Sequence, residues 1–375
     1  MDWRNNRYFA VRLDSYCYSY QMAQLKNLPV RLNPVPSVPW SKLRHGFDDE
    51  LNPRGYYHIL VGCHMDVAEQ VVFSLNEIFE GNNGSYVEVL PKKKNIRSII
   101  LDGRKPAEKL RNWVKDEIQM VNLSPKLAVV VVGDDPASKV YVRNKQRACK
   151  AVGIDSQVVR LPESVTTRDV VNAVNLLSDD PTVTGILVQL PLPKHIDEEC
   201  VLDAIPDEKD VDHFGISSVG HIWRGDTLAG LFWGACTPSG IMRLLRNYGI
   251  SLSGKHAVVV GRSNIVGKPM AAMLLNKDCT VTICHSKTRN LADITRQADI
   301  LVVAVGKPKF ITEDMVKPGA VVVDVGINRM EDSSLCGDVD FDNVKYKAGA
   351  ITPVPGGVGP MTVAQLLYNV VMLAE

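Results

Sequence analysis

From residue 97 onward, short runs of consecutive apolar residues take turns with longer segments in which apolar positions recur every three or four residues. The runs predict buried strands and the periodic segments amphipathic helices. RSIILDG (97–103) reads as a strand, and 106–121 as a helix with Leu110, Trp113, Val114 and Ile118 near helical spacing. LAVVVVG (127–133) is apolar without interruption, as a parallel strand covered on both faces should be. After a turn at DDP, residues 138–152 read as a helix closed by Gly153, and QVVRLP, a helix over 167–177 and GILVQLPLP (185–193) continue the alternation.

A second set follows CTPSG (236–240). Helix 241–248, strand HAVVVG, helix 269–275, strand TVTICHS, helix 291–297 and strands ILVVAVG and AVVVDVG predict a doubly wound unit. A glycine- and proline-rich loop, ITPVPGGVGPMT, feeds one last helix able to pack back on the first set. The expected fold is α/β: two α/β domains, the second a Rossmann-like doubly wound nucleotide-binding domain, with a cleft between them.

Residues 1–96 do not share this pattern. They carry NPVPSVPW at 33–40 and a basic KKK at 92–94, and before Asp48 seven Lys/Arg stand against two Asp/Glu. That bias suits a mitochondrial transit segment, and equally an extension; GYYHILVGCHMDVAEQVVFSLNEIF is apolar enough to fold locally. The whole chain is 45% hydrophobic and 23% charged with a net charge of +1, which gives no reason to expect a nucleic-acid or membrane surface. No apolar run reaches the roughly 18 residues of a membrane span. The eight cysteines are scattered, with no C-x-x-C pair and no zinc-type spacing, so no metal site is expected. Reduced thiols in an intracellular compartment, cytoplasmic or mitochondrial, are the expectation.

HAVVVGRSNIVGKP (256–269) runs from a strand through a glycine-bearing turn to a helix. Gly261 can make the tight turn, Gly267 allows close helix packing, and the helix N-terminal amides face a phosphate. Ser263 stands where a dinucleotide fingerprint has its second glycine, and its hydroxyl can donate to the nucleotide. A reader of NAD carries Asp or Glu about 20 residues on, for the ribose 2′-hydroxyl. Here the next strand ends in His285, Ser286, Lys287, Thr288 and Arg289, without a carboxylate. Ser286, with Arg262 in the loop, suits a 2′-phosphate, so NADP is expected and NAD is the alternative.

VGDDPASKVYVRNKQRACKAVGI, ILVQLPLP, KDVD and TPVPGGVGPMT, together with GRSNIVGKP and DVGIN, occur in one order over about 280 residues. In this the chain closely resembles the methylenetetrahydrofolate dehydrogenase/methenyltetrahydrofolate cyclohydrolase family. The resemblance implies an NADP-linked oxidation of 5,10-methylenetetrahydrofolate and hydrolysis of the methenyl product to 10-formyltetrahydrofolate at one folate site. It also implies a homodimer joined through the nucleotide domain. The implied division is a folate-binding catalytic domain at 97–237, completed by 352–375, and an NAD(P)-binding domain at 238–351. No region of synthetase size follows Glu375, so the ligase step of longer relatives is not expected.

Tyr141 and Lys145 stand four apart and share a helix face. By spacing alone they read as a surface lysine beside a half-buried tyrosine. The resemblance makes Lys145 the essential lysine, for proton transfer, and Tyr141 a ring that stacks on the pterin. Gln189 would hydrogen-bond lysine and substrate, and Asp212 in KDVD would bind the pterin amino edge. Asp210 and Lys209 read as local loop residues. Around this catalytic set the implied substrate contacts extend to Val142, Arg143, Asn144, Val188 and Leu190, and to Pro355, Gly356, Gly357, Val358 and Gly359 of the tail loop. Ile327 in DVGIN would lie against the cofactor, or else pack at a strand end.

One position departs from the family pattern: His213 follows KDVD where glycine is usual. If the backbone needs positive φ there, histidine would strain or re-route the loop and shift Asp212. A dehydrogenase without cyclohydrolase activity, or a non-catalytic binding protein of the same fold, are the alternatives this leaves open.

Overall fold

The structure, a computed structural model, describes residues 6–13, 31–32, 57–64, 86–88, 98–225, 234–330 and 332–375. It divides into two units, Met1–Asn95 and Ile96–Glu375. In the first, β1 (Asn6–Leu13), β2 (Arg31–Leu32), β3 (Tyr57–His64) and β4 (Tyr86–Glu88) form an antiparallel sheet of order β2-β3-β1-β4. The apolar segment expected to fold locally supplies β3. The proline-rich stretch 33–40 and the basic run 92–94 lie outside the described residues.

The second unit begins with β5 (Ile99–Ile100), α1 (Arg104–Val121), β6 (Lys126–Val132), α2 (Pro136–Val152), β7 (Asp155–Leu161), α3 (Thr167–Ser178), β8 (Gly185–Val188), α4 (Glu198–Asp203) and α5 (Ile216–Arg224). β7-β6-β8 is a three-stranded parallel sheet. The valine run that predicted β6 is fully covered, no residue from Leu127 to Val132 exceeding 7% exposure. α2 starts two residues before the expected 138 because Asp135 caps it, accepting from the Ser138 amide at 2.7 Å, with Pro136 in the first helical position. Gly153, at φ 92°, ends it as expected.

The chain continues through α6 (Cys236–Asn247), β9 (His256–Val260), α7 (Gly267–Leu275), β10 (Thr280–Cys284), α8 (Leu291–Thr295), β11 (Ile300–Val303), β12 (Val321–Asp324), the short hairpin β13 (Asn328–Arg329) and β14 (Leu335–Cys336), α9 (Phe341–Val344), β15 (Ala350–Ile351) and α10 (Val358–Met372). The main sheet has the order β10-β9-β11-β12-β15-β5, parallel throughout. From β9 the chain steps outward to β10 and then returns past β9 to β11. The sheet therefore reverses direction between β9 and β11, and the crevice at such a point is where doubly wound sheets bind ligands.

Two expectations need correction. The strand at Ile99–Ile100 does not belong with β6; it pairs with β15, about 250 residues on, at the edge of the larger sheet. And α6 runs through CTPSG, starting five residues before the expected 241. Pro238 is tolerated there because an N-terminal turn lacks intrahelical partners for its N–H groups, and Gly240 lets α10 approach, since a Cβ on it would lie 3.0 Å from the Met361 backbone.

The last helix ties the two lobes together. Val358, Met361 and Ala364 of α10 sit in the core beneath the six-stranded sheet, whereas Leu366, Leu367, Tyr368, Val370 and Val371 sit in the core of the smaller one. Its approach to α1 depends on Gly103, where a Cβ would lie 1.9 Å from the Gly357 carbonyl oxygen. Among the described residues no helix is long and apolar enough to cross a membrane.

Gly103→Ala should therefore lower unfolding stability by about 2 kcal/mol through overpacking. Gly359→Ala, where a Cβ meets nothing within 4 Å, should be neutral or slightly stabilising. Urea denaturation of the two variants checks the contrast, and equal losses would contradict it.

Candidate functional site

Lys145 projects from the middle of α2 and Gln189 leaves the carboxyl end of β8. The lysine Nζ donates to Gln189 Oε1 at 3.2 Å. The amide is held from both sides: its Nε2 donates to the Leu190 carbonyl at 2.7 Å, and its backbone N–H to Val130 of β6. With the nitrogen engaged by a carbonyl, the oxygen must face the ammonium. The Leu190–Pro191 peptide is cis. Tyr141, one turn before Lys145, leaves 45% of its surface open, enough for a ring to stack on it.

The KDVD segment runs alongside β8, with Asp210 bridged in parallel to Ile186. Asp212 follows two residues beyond this bridge. Gly185 makes this approach available, because a Cβ there would meet Val211 at 2.2 Å. Asp212 lies against Cys236, the first residue of α6. Burial pushes that thiol well above its usual range, the Asp212 charge and hydrogen bond push the same way, and the positive charge of Lys145 opposes them. Lys145, Gln189 and Asp212 therefore belong to one locality.

Asp210 organises the turn. Its carboxylate accepts from the amides of His213 at 2.8 Å and Gly215 at 3.0 Å and from the Ser218 hydroxyl at 3.1 Å. Lys209 points elsewhere, its Nζ donating to the Ser178 and Asp180 carbonyls beyond the end of α3. Both are the local loop residues expected. The backbone does take positive φ at His213, 53°, so the conformation a glycine would favour is kept rather than re-routed. The buried imidazole Nδ1 lies 3.3 Å from the Ser218 hydroxyl.

Not every expected contact residue presents a side chain. Those of Val142, Val188 and Val358 are buried in the hydrophobic cores, leaving only backbone to face a ligand. Leu190 packs partly against the core that holds Val188. Arg143 and Asn144 are exposed. In the tail loop, Pro355 is exposed and preceded by a cis peptide. A Cβ on Gly356, at φ 113°, would strike the Arg104 guanidinium at 2.6 Å, and one on Gly357 would strike Thr352 at the same distance. The protein's own packing thus accounts for these two glycines, and Gly359 faces open space.

At the switch point of the larger sheet, Gly261 has φ 131° and a Cβ on it would lie 2.3 Å from the Ala304 carbonyl. A Cβ on Gly267 would lie equally close to the carbonyl of Gly261. Only glycine fits at either place, and the first-turn amides of α7 are turned onto Ser263, that of Lys268 reaching its carbonyl at 3.0 Å. Ser263 is turned inward as an acceptor, taking the Val266 and Gly267 amides at 3.2 and 3.3 Å; its own proton remains available to a ligand. Arg262 and Ser286 are exposed after the ends of β9 and β10, and the segment 285–289 that contains Ser286 holds no acid. The residues present fit a nucleotide with a phosphate on its adenosine ribose. Ile327 is 48% exposed after β12.

Sequence reasoning passed over Cys236 and Asn369. The Asn369 amide donates to the Val211 carbonyl at 2.8 Å and the Gly234 carbonyl at 3.2 Å, fixing the backbone next to Asp212 from α10. A lone asparagine in the apolar run LLYNVV was the available signal. Among the described residues no group of three or more His, Cys, Asp or Glu could hold a metal ion.

Residues 101–212 match the family described as tetrahydrofolate dehydrogenase/cyclohydrolase, catalytic domain, and 235–375 its NAD(P)-binding domain. The bifunctional protein FolD of Moorella thermoacetica is 57% identical over 279 residues, covering 74% of this chain and 98% of that one. The crystal structure of bifunctional FolD from Campylobacter jejuni superposes with a TM-score of 0.71 at 48% identity, covering 74% of this chain and 98% of that one. The Trypanosoma brucei FolD complexed with NADP and an inhibitor gives 0.70 at 38% identity, over 74% and 97%.

Burial pushes the Asp210 carboxyl up to about 6, against the pull of its hydrogen bonds, and holds the His213 imidazole down to about 4. As pH falls from about 6.5 to 4, Asp210 protonates more readily folded than unfolded and adds stability, while His213 protonates more readily unfolded and subtracts it. The two nearly cancel. Asp210→Asn should then lose stability on acidification more steeply than the parent, by on the order of 2 kcal/mol across the window, and His213→Gly less steeply. Denaturant unfolding at a series of pH values measures this, and three parallel curves would contradict it.

Proposed function

The chain belongs to the tetrahydrofolate dehydrogenase/cyclohydrolase family, and on that footing we propose that Tyr141, Lys145, Gln189 and Asp212 form a single folate site serving both of the family's reactions. The enzyme oxidises 5,10-methylenetetrahydrofolate to the 5,10-methenyl form with NADP and hydrolyses that product to 10-formyltetrahydrofolate. The observation that carries the shared site is the Lys145–Gln189 hydrogen bond at 3.2 Å, with Asp212 alongside.

Asp212 is a fixed acceptor for the amino edge of the pterin, and the exposed Tyr141 ring stacks on its face. The bound folate then lies with its one-carbon bridge toward Lys145. Gln189 holds the Lys145 amine in place through a neutral oxygen, without the Coulombic hold a carboxylate would exert. NADP, when bound, accepts the hydride at its nicotinamide ring. Water added to the methenyl carbon must lose a proton, and opening the ring places one on the departing nitrogen. Lys145 Nζ, anchored on a rigid helix, is the group that carries these protons.

The turn at Gly261 and Ser263 receives the dinucleotide phosphates, and Arg262 with Ser286 the ribose 2′-phosphate. Ile327 offers an apolar surface to the cofactor. The chain pairs as a homodimer through the nucleotide lobe; the exposed Ile283 on edge strand β10 and Met330 and Leu335 around the β13–β14 hairpin are the apolar surface that supports this.

Lys145→Met should lower hydrolysis of methenyltetrahydrofolate by about 10²–10⁴-fold while thermal unfolding and NADP binding stay as in the parent. A variant that hydrolyses the methenyl substrate at the parental rate would reject the lysine's role.

A further inference from the structure

Two buried aspartates at the carboxyl edge of the larger sheet take no part in the site described above. Asp338, fully buried, accepts three successive backbone N–H groups from the loop after β11: Val305 at 2.6 Å, Gly306 at 2.9 Å and Lys307 at 2.8 Å. Its Oδ1, which takes the Lys307 amide, also accepts the Asn328 side-chain amide at 2.9 Å, from the start of β13. Asp324, the last residue of β12, accepts from Gly326 at 3.0 Å and from Asp338 and Val339 at 2.9 Å each. Among the described residues neither carboxylate forms an ion pair. The contacts are so close that a Cβ on Gly326 would overlap Asp338 and one on Gly337 would overlap Asp324, at 2.2 and 1.8 Å.

The loops gathered in this way have a definite place. The loop after β11 begins at Ala304, whose carbonyl is the atom that forces glycine at 261. It therefore forms the far wall of the crevice whose near wall is the nucleotide turn. With the ribose phosphate at the end of β10, a dinucleotide crossing the switch point carries its other half over the ends of β11 and β12. Burying two acids side by side is costly: burial first, and the neighbouring Asp338 charge as well, push Asp324 up to about 7. A fold needing only a stable turn could leave these amides to water. Concentrating them on one carboxylate instead fixes three loop residues and Asn328 relative to the same point.

We propose that Asp338, seated on Asp324, is a positioning residue for the dehydrogenase reaction: it holds the loops 305–307 and 326–328 in the shape that receives the nicotinamide half of NADP. This rests on the placement of the nucleotide across the β9–β11 switch point. The hydrolysis of methenyltetrahydrofolate consumes no nicotinamide, so the two activities of the same enzyme separate positioning from general stability.

Asp338→Asn substitutes a donor for one of the two acceptor oxygens in a nest of N–H groups. It should raise the KM for NADP about tenfold, with hydrolysis of methenyltetrahydrofolate within about twofold of the parent. Asn328→Ala, which removes only the β12-side tether, should raise the KM for NADP by about threefold and leave hydrolysis alone, and it decides the matter if Asp338→Asn does not fold. Equal loss of both activities, or an unchanged KM for NADP in a folded variant, would overturn the proposal. Arg262→Ala tests the nucleotide placement separately. An unchanged KM for NADP there beside a raised one in Asp338→Asn would displace the phosphate reading and leave the clamp standing; the reverse result would remove the clamp alone.

Discussion

An ammonium on one element and an amide on another, brought to 3.2 Å across 44 residues, depend on a parallel sheet that sends both to the same edge. Parallel strands end on one side, so whatever follows them gathers there without further design. β6 leads into the helix that bears Lys145, β8 releases Gln189, and the KDVD segment bridges to β8 at Ile186, two residues before Asp212. The nucleotide turn obeys the same rule in the larger sheet. Two sheets that each reverse direction once thus supply a folate edge and a cofactor edge, and α10, half in each core, fixes them to one another.

Both edges solve the same electrostatic problem in the same way. Loops at strand ends carry backbone N–H groups with no ladder to join, and leaving them buried and unpaired is costly. In each lobe a buried carboxylate takes several of them: Asp210 for the turn that aims Asp212, and Asp338 with Asp324 for the turns around the cofactor. The departure at His213 is tolerated for this reason. Its amide is gripped by Asp210, so the positive-φ conformation, worth roughly 1–2 kcal/mol against a side-chain-bearing residue, is imposed by the loop.

Much of the fold could be read from the chain because its strands are buried on both faces. Val129 to Val132, Val258 to Val260 and Val321 to Val323 announce themselves as unbroken apolar runs. Ile99–Ile100 could not be placed the same way: a two-residue strand has no period, and its partner is set by the last crossover of a sheet that the chain completes only at β15. In the sequence CTPSG reads as a break before α6, because proline interrupts a helix except in its first turn. The candidate site was legible in two ways: Lys145 and Asp212 stand out through the family resemblance, and Gly261 through the strand–turn–helix pattern around it. Residues that act by holding backbone, Asp338 and Asn369 above all, carry no spacing signal, since their partners are peptide groups that every sequence supplies.

One folate-binding edge serving two reactions is the claim on which this picture turns. A folate analogue unable to react at its one-carbon position should inhibit NADP-dependent oxidation of methylenetetrahydrofolate and hydrolysis of methenyltetrahydrofolate with the same inhibition constant, competitively against folate in each. Inhibition of one reaction at concentrations that leave the other untouched would contradict it.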